Sequence, residues 1–250
     1  MVKAALAALA ALDSVKALAT TSQDRLKYPS FASTMDTCGG HMWQAFPVTT
    51  KAGYNLTLFH IHSDAAQVAY TGEKGPTLLL EGLYSDAQDW ISCKDLSQDS
   101  IAVQLATKGH DVWIGQTRGR EYSSTHSTLI LPDQANEFWN YTYHDIGVDD
   151  IPALVDAVIA NRFGATNCNK VTLIAHSSGL SAAMVAAIKG GDAFADKVGQ
   201  INGLAPCIKL NLDKFVITDA RDLTSVKAFY DILNMAGLSR LFGPAYASEV

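Results

Sequence analysis

No two cysteines in this 250-residue chain stand at CxxC spacing, so neither a zinc knuckle nor a thioredoxin-like redox motif is available. Cys38, Cys93, Cys168 and Cys207 lie far apart. A disulfide among them is compatible with the sequence, but its pairing cannot be read from spacing alone. The chain also lacks a stripe of lysine and arginine. With a formal net charge of -6, it has no clustered cations to release counterions from a phosphate backbone, and no nucleic-acid partner is expected. No apolar run approaches the roughly 20 residues that cross a bilayer, so no transmembrane segment is expected. No histidine follows His176. That absence bears on catalysis below.

What is present is a globular composition: 48% hydrophobic and 18% charged residues can bury a large core. The length suits one α/β domain with an appendage. The N-terminus, MVKAALAALAALDSVKALATTS, places Lys3 ahead of the apolar run Ala4 to Leu12 and then Ala17-Leu18-Ala19. This is the order of a secretory leader and its cleavage site, and residues 1–30 are read as a leader or signal-like segment. Two sequons, Asn55-Leu56-Thr57 and Asn140-Tyr141-Thr142, fit a secretory route. His60 and His62 alternate along an apparent strand without a third ligand, so they are read as ordinary strand residues and no metal is expected.

From Gln44 onward, short apolar segments alternate with helical ones, the pattern of an α/β sheet. Strands are predicted over Phe46 to Thr50, Tyr54 to His62, Thr77 to Glu81, Asp111 to Gly115, Lys170 to Ala175 and Gln200 to Ala205. Gly53 turns the first pair into an antiparallel hairpin. Thr77 to Leu80 and Val171 to Ile174 are apolar throughout, as central parallel strands buried on both faces should be. Helices are predicted over Asp99 to Lys108, Asp149 to Asn161, with Pro152 in its first turn, and Gly179 to Lys189. Strands joined by right-handed crossover helices collect their ligand site at the C-terminal strand ends. After Pro206 the pattern changes to amphipathic helical runs, notably Asp222 to Asn234. Residues 31–210 are therefore read as the core, and 211–250 as the start of a helical cap.

At the end of one apolar strand stands Ala175-His176-Ser177-Ser178-Gly179, which matches the nucleophile elbow G-x-S-x-G with alanine in its first position. Such an elbow turns so tightly from strand to helix that the residues two before and two after the nucleophile must be small. Ala175 and Gly179 meet that demand. Ser177 is the candidate nucleophile. The Ser178 backbone N–H, at the positive end of the following helix, is one candidate oxyanion donor. The loop in TLLLEGLYSDAQDW supplies the second, the Leu83 N–H.

Together the stretches VTTKAGYNLTLFHI, LLLEGLYSDAQDWI, LATKGHDVWIGQTRGREYSSTH, EFWNYTYHDIGVDDIPALVDAVI, KVTLIAHSSG and INGLAPCIKL resemble the acid lipases, the group that contains gastric lipase and lysosomal acid lipase. They do so in the family's order and spacing from about Phe46 to Leu210. The resemblance implies an α/β-hydrolase fold, a mostly parallel sheet, Ser177 as nucleophile and Leu83 and Ser178 at the oxyanion-hole positions. It further implies a lipid ester as substrate, no cofactor, contact with a lipid interface through the cap, and a secreted or lysosomal location. Triacylglycerol and steryl ester are not distinguished.

The chain departs from the family at Ala175, where the family has Gly, and at Ser178, where it has Gln; both changes leave the small side chain or the backbone N–H in place. Glu81 replaces the histidine of the family's His-Gly pair, which brings a carboxylate near the developing negative charge. The largest departure concerns the triad, whose order on this fold is Ser, then Asp or Glu, then His. The expectation is a chain that stops before the triad Asp and His, with most of its cap and the last strands absent. Asp213, Asp219, Asp222 and Asp231 sit in or beside the cap-like helices and are read as helix faces or caps. His110, His126, His144 and His176 are rejected as substitutes for the base. The leading reading is a serine carboxylic-ester hydrolase; the alternative is a non-catalytic relative that binds a lipid or a protein partner.

Overall fold

The computed structural model describes residues 22–38, 41–61, 75–83, 85–92, 100–162 and 170–206. Most of the leader-like segment, Tyr84, His62, Cys93, Cys168 and everything from Cys207 on, the cap-like region and its aspartates included, lie outside the described residues.

The strands are β1 (Trp43–Thr49), β2 (Tyr54–Ile61), β3 (Pro76–Leu80), β4 (Asp111–Gln116), β5 (Thr125–His126), β6 (Val171–His176) and β7 (Val198–Leu204). They form one seven-stranded sheet in the order β1-β2-β4-β3-β6-β7, with the short β5 paired to β2. β1 and β2 are antiparallel, as is the β2 to β4 pair; β4, β3, β6 and β7 run parallel. This is the mostly parallel sheet of an α/β-hydrolase core, and the C-terminal ends of β3, β4 and β6 open at one end of it.

Two apolar layers explain why β3 is buried throughout. On one face Leu78 and Leu80 pack with Trp113, Leu154, Val158, Leu180 and Ala183 from the strands and the helices Ile151–Asn161 and Ser178–Ala195. On the other, Leu79 packs with Val112, Ile114, Phe59, Trp43, Phe31, Met35 and Ala106. A strand whose alternate residues both meet a core has no wet face. β6 differs from the expectation. Val171, Leu173 and Ala175 are buried, whereas Thr172, Ile174 and His176 are only half-buried. The second layer, which includes the helices Pro29–Thr37 and Ile101–Thr107, buries the β1 to β4 side and, among the described residues, meets β6 only through the partly buried Ile174.

The second layer begins with residues over which no helix is predicted. Tyr28, Phe31, Trp43 and Phe59 form one aromatic cluster; Phe31 stacks on Phe59 with ring centroids 3.9 Å apart, and Tyr28 meets Phe59 edge to face at 5.2 Å. The helix Pro29–Thr37 ends at Cys38, which is buried and disulfide-bonded. On the opposite layer, a capping box at Thr142 and Asp145 starts a short helix, Tyr143–Asp145, that runs through a π-turn, Ile146–Asp150, into Ile151–Asn161. The helical run thus begins six residues before the predicted Asp149. The helix after the elbow continues to Ala195 instead of ending at Lys189, bending at Gly191, whose φ of +52° suits glycine.

Candidate active site

β6 delivers its last residue, His176, directly to Ser177, and the helix Ser178–Ala195 starts on the next residue. Ser177 has φ 51° and ψ -118°. A positive φ at a non-glycine residue costs about 1–3 kcal/mol and persists only where its surroundings impose it. They do so here: the Ser177 N–H donates to the Leu204 carbonyl at 2.9 Å, and its own carbonyl accepts from the Leu180 N–H at 3.1 Å.

The need for small neighbours has a direct structural cause. A Cβ on Gly179 would lie 2.3 Å from the Glu81 carbonyl oxygen, a backbone atom that cannot swing aside. Ala175 is fully buried between Leu80 of β3 and Gly203 of β7, its register partners. Gly203 in turn gives room to Leu180, since a Cβ there would meet the leucine Cδ2 at 2.4 Å. The loop after β3 rests on the elbow as well: a Cβ on Gly82 would lie 3.2 Å from the Cβ of Ser177 and 2.7 Å from Nδ1 of His176. Leu83 follows directly, half-buried, in a turn closed by the Ser85 N–H on the Gly82 carbonyl at 3.3 Å. Ser178 opens the nucleophile helix, so its N–H belongs to the first-turn donors that have no partner within a helix. The elbow, the first helical turn and the loop carrying Leu83 therefore meet at one place.

Glu81 is buried with its carboxylate directed to the exit of β4. Its Oε1 accepts from the Thr117 N–H at 2.8 Å and from the Thr117 hydroxyl at 2.6 Å, and Arg120 Nε lies 3.5 Å away. Oε1 of the carboxylate that departs from the family pattern is thus met by two donors and a guanidinium, while Oε2 is buried without a hydrogen-bond partner among the described residues.

Below this region sits an ion-pair cluster that the sequence did not reveal. Asp150, fully buried, accepts from Arg118 through the backbone N–H at 2.8 Å, Nε at 2.8 Å and Nη2 at 2.6 Å. Asp149 accepts from Arg118 Nη2 at 2.6 Å and from the backbone N–H groups of Lys51 and Ala52 at 3.0 and 3.2 Å. The guanidinium lies 4.0 Å over the Tyr54 ring. Burial pulls Arg118 down, but the bonds and charge of Asp150, then of Asp149, outweigh it and hold Arg118 above its ordinary value. Burial likewise pushes the Asp150 carboxyl up, to about 6, against the pull of Arg118. The cluster ties the exit of β4, the β1–β2 turn and the helical layer together at the end of the sheet where the elbow opens.

Two of the described histidines, His60 and His126, are engaged away from the elbow. His60 Nε2 pairs with Asp111 at 2.6 Å and its ring stacks on Trp113 at 4.0 Å. His126 accepts at Nδ1 from the Thr128 and Leu129 N–H groups, which leaves Nε2–H to donate to the Ala52 carbonyl. His144 is exposed on its short helix, and His176 lies against Gly82. Among the described residues, no group of three or more His, Cys, Asp or Glu is arranged to hold a metal, and no helix is long and apolar enough to cross a membrane.

No protein-family model matches the chain. Human lipase member K is 28% identical over 187 residues, covering 75% of this chain and 44% of its own length. Lipase 1 of Drosophila melanogaster is 32% identical over 169 residues, 68% of this chain and 35% of its own. Human gastric triacylglycerol lipase is 28% identical over 189 residues, 76% of this chain and 45% of its own. The chain thus spans less than half the length of these curated relatives. Among solved structures, a hypothetical protein from Pseudomonas aeruginosa superposes with a TM-score of 0.50 at 10% identity, covering 82% of this chain and 57% of that one. An esterase of Pyrococcus furiosus gives 0.49 at 16% identity, with 84% and 63% covered. The resemblance read from the sequence motifs is therefore matched by relatives of the gastric and acid lipase kind.

Proposed function

We propose, from the similarity to the acid lipases, that this chain is the nucleophile-bearing part of a serine ester hydrolase acting on lipid esters, with Ser177 as nucleophile. In that reading the Ser177 oxygen attacks the acyl carbonyl. The Leu83 and Ser178 N–H groups hold the oxyanion as it forms. The alcohol leaves with a proton, and water then releases the fatty acid from the acyl-serine. The observation that carries the reading is the elbow itself: a serine held at positive φ between strand and helix, with the Gly82–Leu83 loop packed on it. Residues 31–210 are proposed as the hydrolase core and 211–250 as the beginning of a cap that would meet the lipid interface. A secreted or lysosomal location is proposed from the leader-like N-terminus, and the disulfide-bonded Cys38 is in keeping with an oxidising compartment.

The 250 residues hold an elbow but no histidine beyond it, and on this reading the acid and base of the triad are not among them. A serine without its base is a weak nucleophile at neutral pH. The purified chain is therefore expected to hydrolyse p-nitrophenyl butyrate no faster than its Ser177→Ala variant. A fluorophosphonate, far more electrophilic than an ester, is expected to mark Ser177 slowly, because oxyanion donors act without the base. Peptide mass spectrometry reads the site. Label spread over several surface serines, with Ser177 unmodified, would remove the basis for a nucleophile here.

A further inference from the structure

β3 and β4 pair in parallel register as far as Leu80 and Gly115. Beyond that point the chain at Glu81 and Gly82 turns toward the elbow, which puts the Glu81 carbonyl against Gly179 and Gly82 against Ser177. This departure carries the Thr117 N–H past the paired part of the ladder, in a residue that is only 4% exposed. A buried N–H needs a partner, and the Glu81 side chain supplies it, accepting from both the N–H and the hydroxyl of Thr117. Arg120 Nε, 3.5 Å from the same oxygen, offsets the buried charge. Glu81 therefore holds the exit of β4 with its side chain while its main chain rests on the nucleophile helix.

We propose that Glu81 is a positioning residue: its carboxylate, bridged to Thr117, fixes the Gly82–Leu83 loop against the Ser177 elbow. The inference rests on Ser177 and Leu83 having the roles proposed above. It also revises the expectation that a carboxylate here opposes catalysis, since Oε1 is engaged by Thr117 and Arg120, although Oε2 is buried without a hydrogen-bond partner among the described residues.

The test compares the 250-residue chain with Glu81→Ala, Glu81→Gln and Thr117→Val. Two rates are followed: amide hydrogen exchange in peptides over residues 82–86, and fluorophosphonate labelling of Ser177. Glu81→Ala is expected to speed loop exchange by about tenfold or more. Its labelling should slow by about 10- to 100-fold, as for a donor misplaced by an ångström, with exchange in β3 and β6 unchanged. Glu81→Gln keeps an oxygen for Thr117 and is expected to restore both rates to within about twofold of the parent. Should Glu81→Ala not fold, Thr117→Val carries the test, with loop exchange expected to rise about threefold or more for the lost hydroxyl bond. Parent-like loop exchange in Glu81→Ala or Thr117→Val, a Glu81→Gln variant as impaired as the alanine, or a rise equal in β3 and β6 would overturn the proposal. If the parent is not labelled at Ser177, the nucleophile reading fails instead, and the exchange rates still decide what Glu81 does.

Discussion

Replacing Asp150 with alanine is expected to lower the unfolding free energy by about 3–5 kcal/mol, the range for removing one partner of a buried ion pair. The magnitude follows from what is left behind. Arg118 loses acceptors for its backbone N–H, Nε and part of Nη2, and its guanidinium stays enclosed among Tyr54, Tyr141 and Asp149. A buried cation left with one of its two carboxylates loses more than an exposed pair does. Asp156 supplies the comparison. It pairs with Lys197 at 2.6 Å, but the two side chains are 54% and 44% exposed, so Asp156→Ala is expected to cost less than about 1 kcal/mol. Urea denaturation at pH 7 measures both. Equal costs for the two variants would show that the Arg118 cluster is not the support inferred from its bonds.

A larger effect is expected on activity when the chain is joined to a C-terminal half from human gastric triacylglycerol lipase. The elbow and the loop carrying Leu83 are formed in this chain, and on the proposed reading the joined half would supply the proton-transfer pair. Loss of the pair leaves only the residual contribution of oxyanion stabilisation and binding. The chimera is expected to hydrolyse fatty-acyl p-nitrophenyl esters, and its Ser177→Ala variant to be slower by at least about 10⁴-fold. Because Oε1 of Glu81 is held by Thr117 and Arg120, Glu81→His is not expected to be required. A folded chimera that binds a fatty-acyl ester without turning it over would instead favour a lipid-binding relative.

The elbow was legible because its signal is local: an apolar strand, a small residue on each side of Ser-x-Gly, and a helical run after it. The strands were legible for the same reason, the two-residue β5 excepted, although β1 begins at Trp43 and not Phe46. The helices before β1 were not legible. Ser22–Lys27 buries none of its residues, and the helix Pro29–Thr37 declares itself only when Phe31 and Met35 meet Trp43 and Phe59 across the sheet. Thr142 and Asp145, by contrast, form a capping pair that the sequence displays at the expected spacing and that signals the earlier helix start. The helix predicted to end at Lys189 continues to Ala195, because Gly191 takes a positive φ that bends the axis without ending it. At the site, the direction of the Glu81 carboxylate and the Arg118–Asp150 bond depend on residues more than 30 positions apart. No local pattern carries such pairs. They appear only when β3, β4 and the helical layer are brought to one end of the sheet.

The claim that Ser177, Leu83 and Ser178 form one oxyanion-binding unit is tested most directly by a crystal structure of the chain after phosphonylation. The expected result is a phosphorus bonded to the Ser177 oxygen, with the phosphoryl oxygen accepting from both the Leu83 and Ser178 N–H groups at about 3 Å. A phosphoryl oxygen directed to solvent, or held by neither amide, would contradict the account.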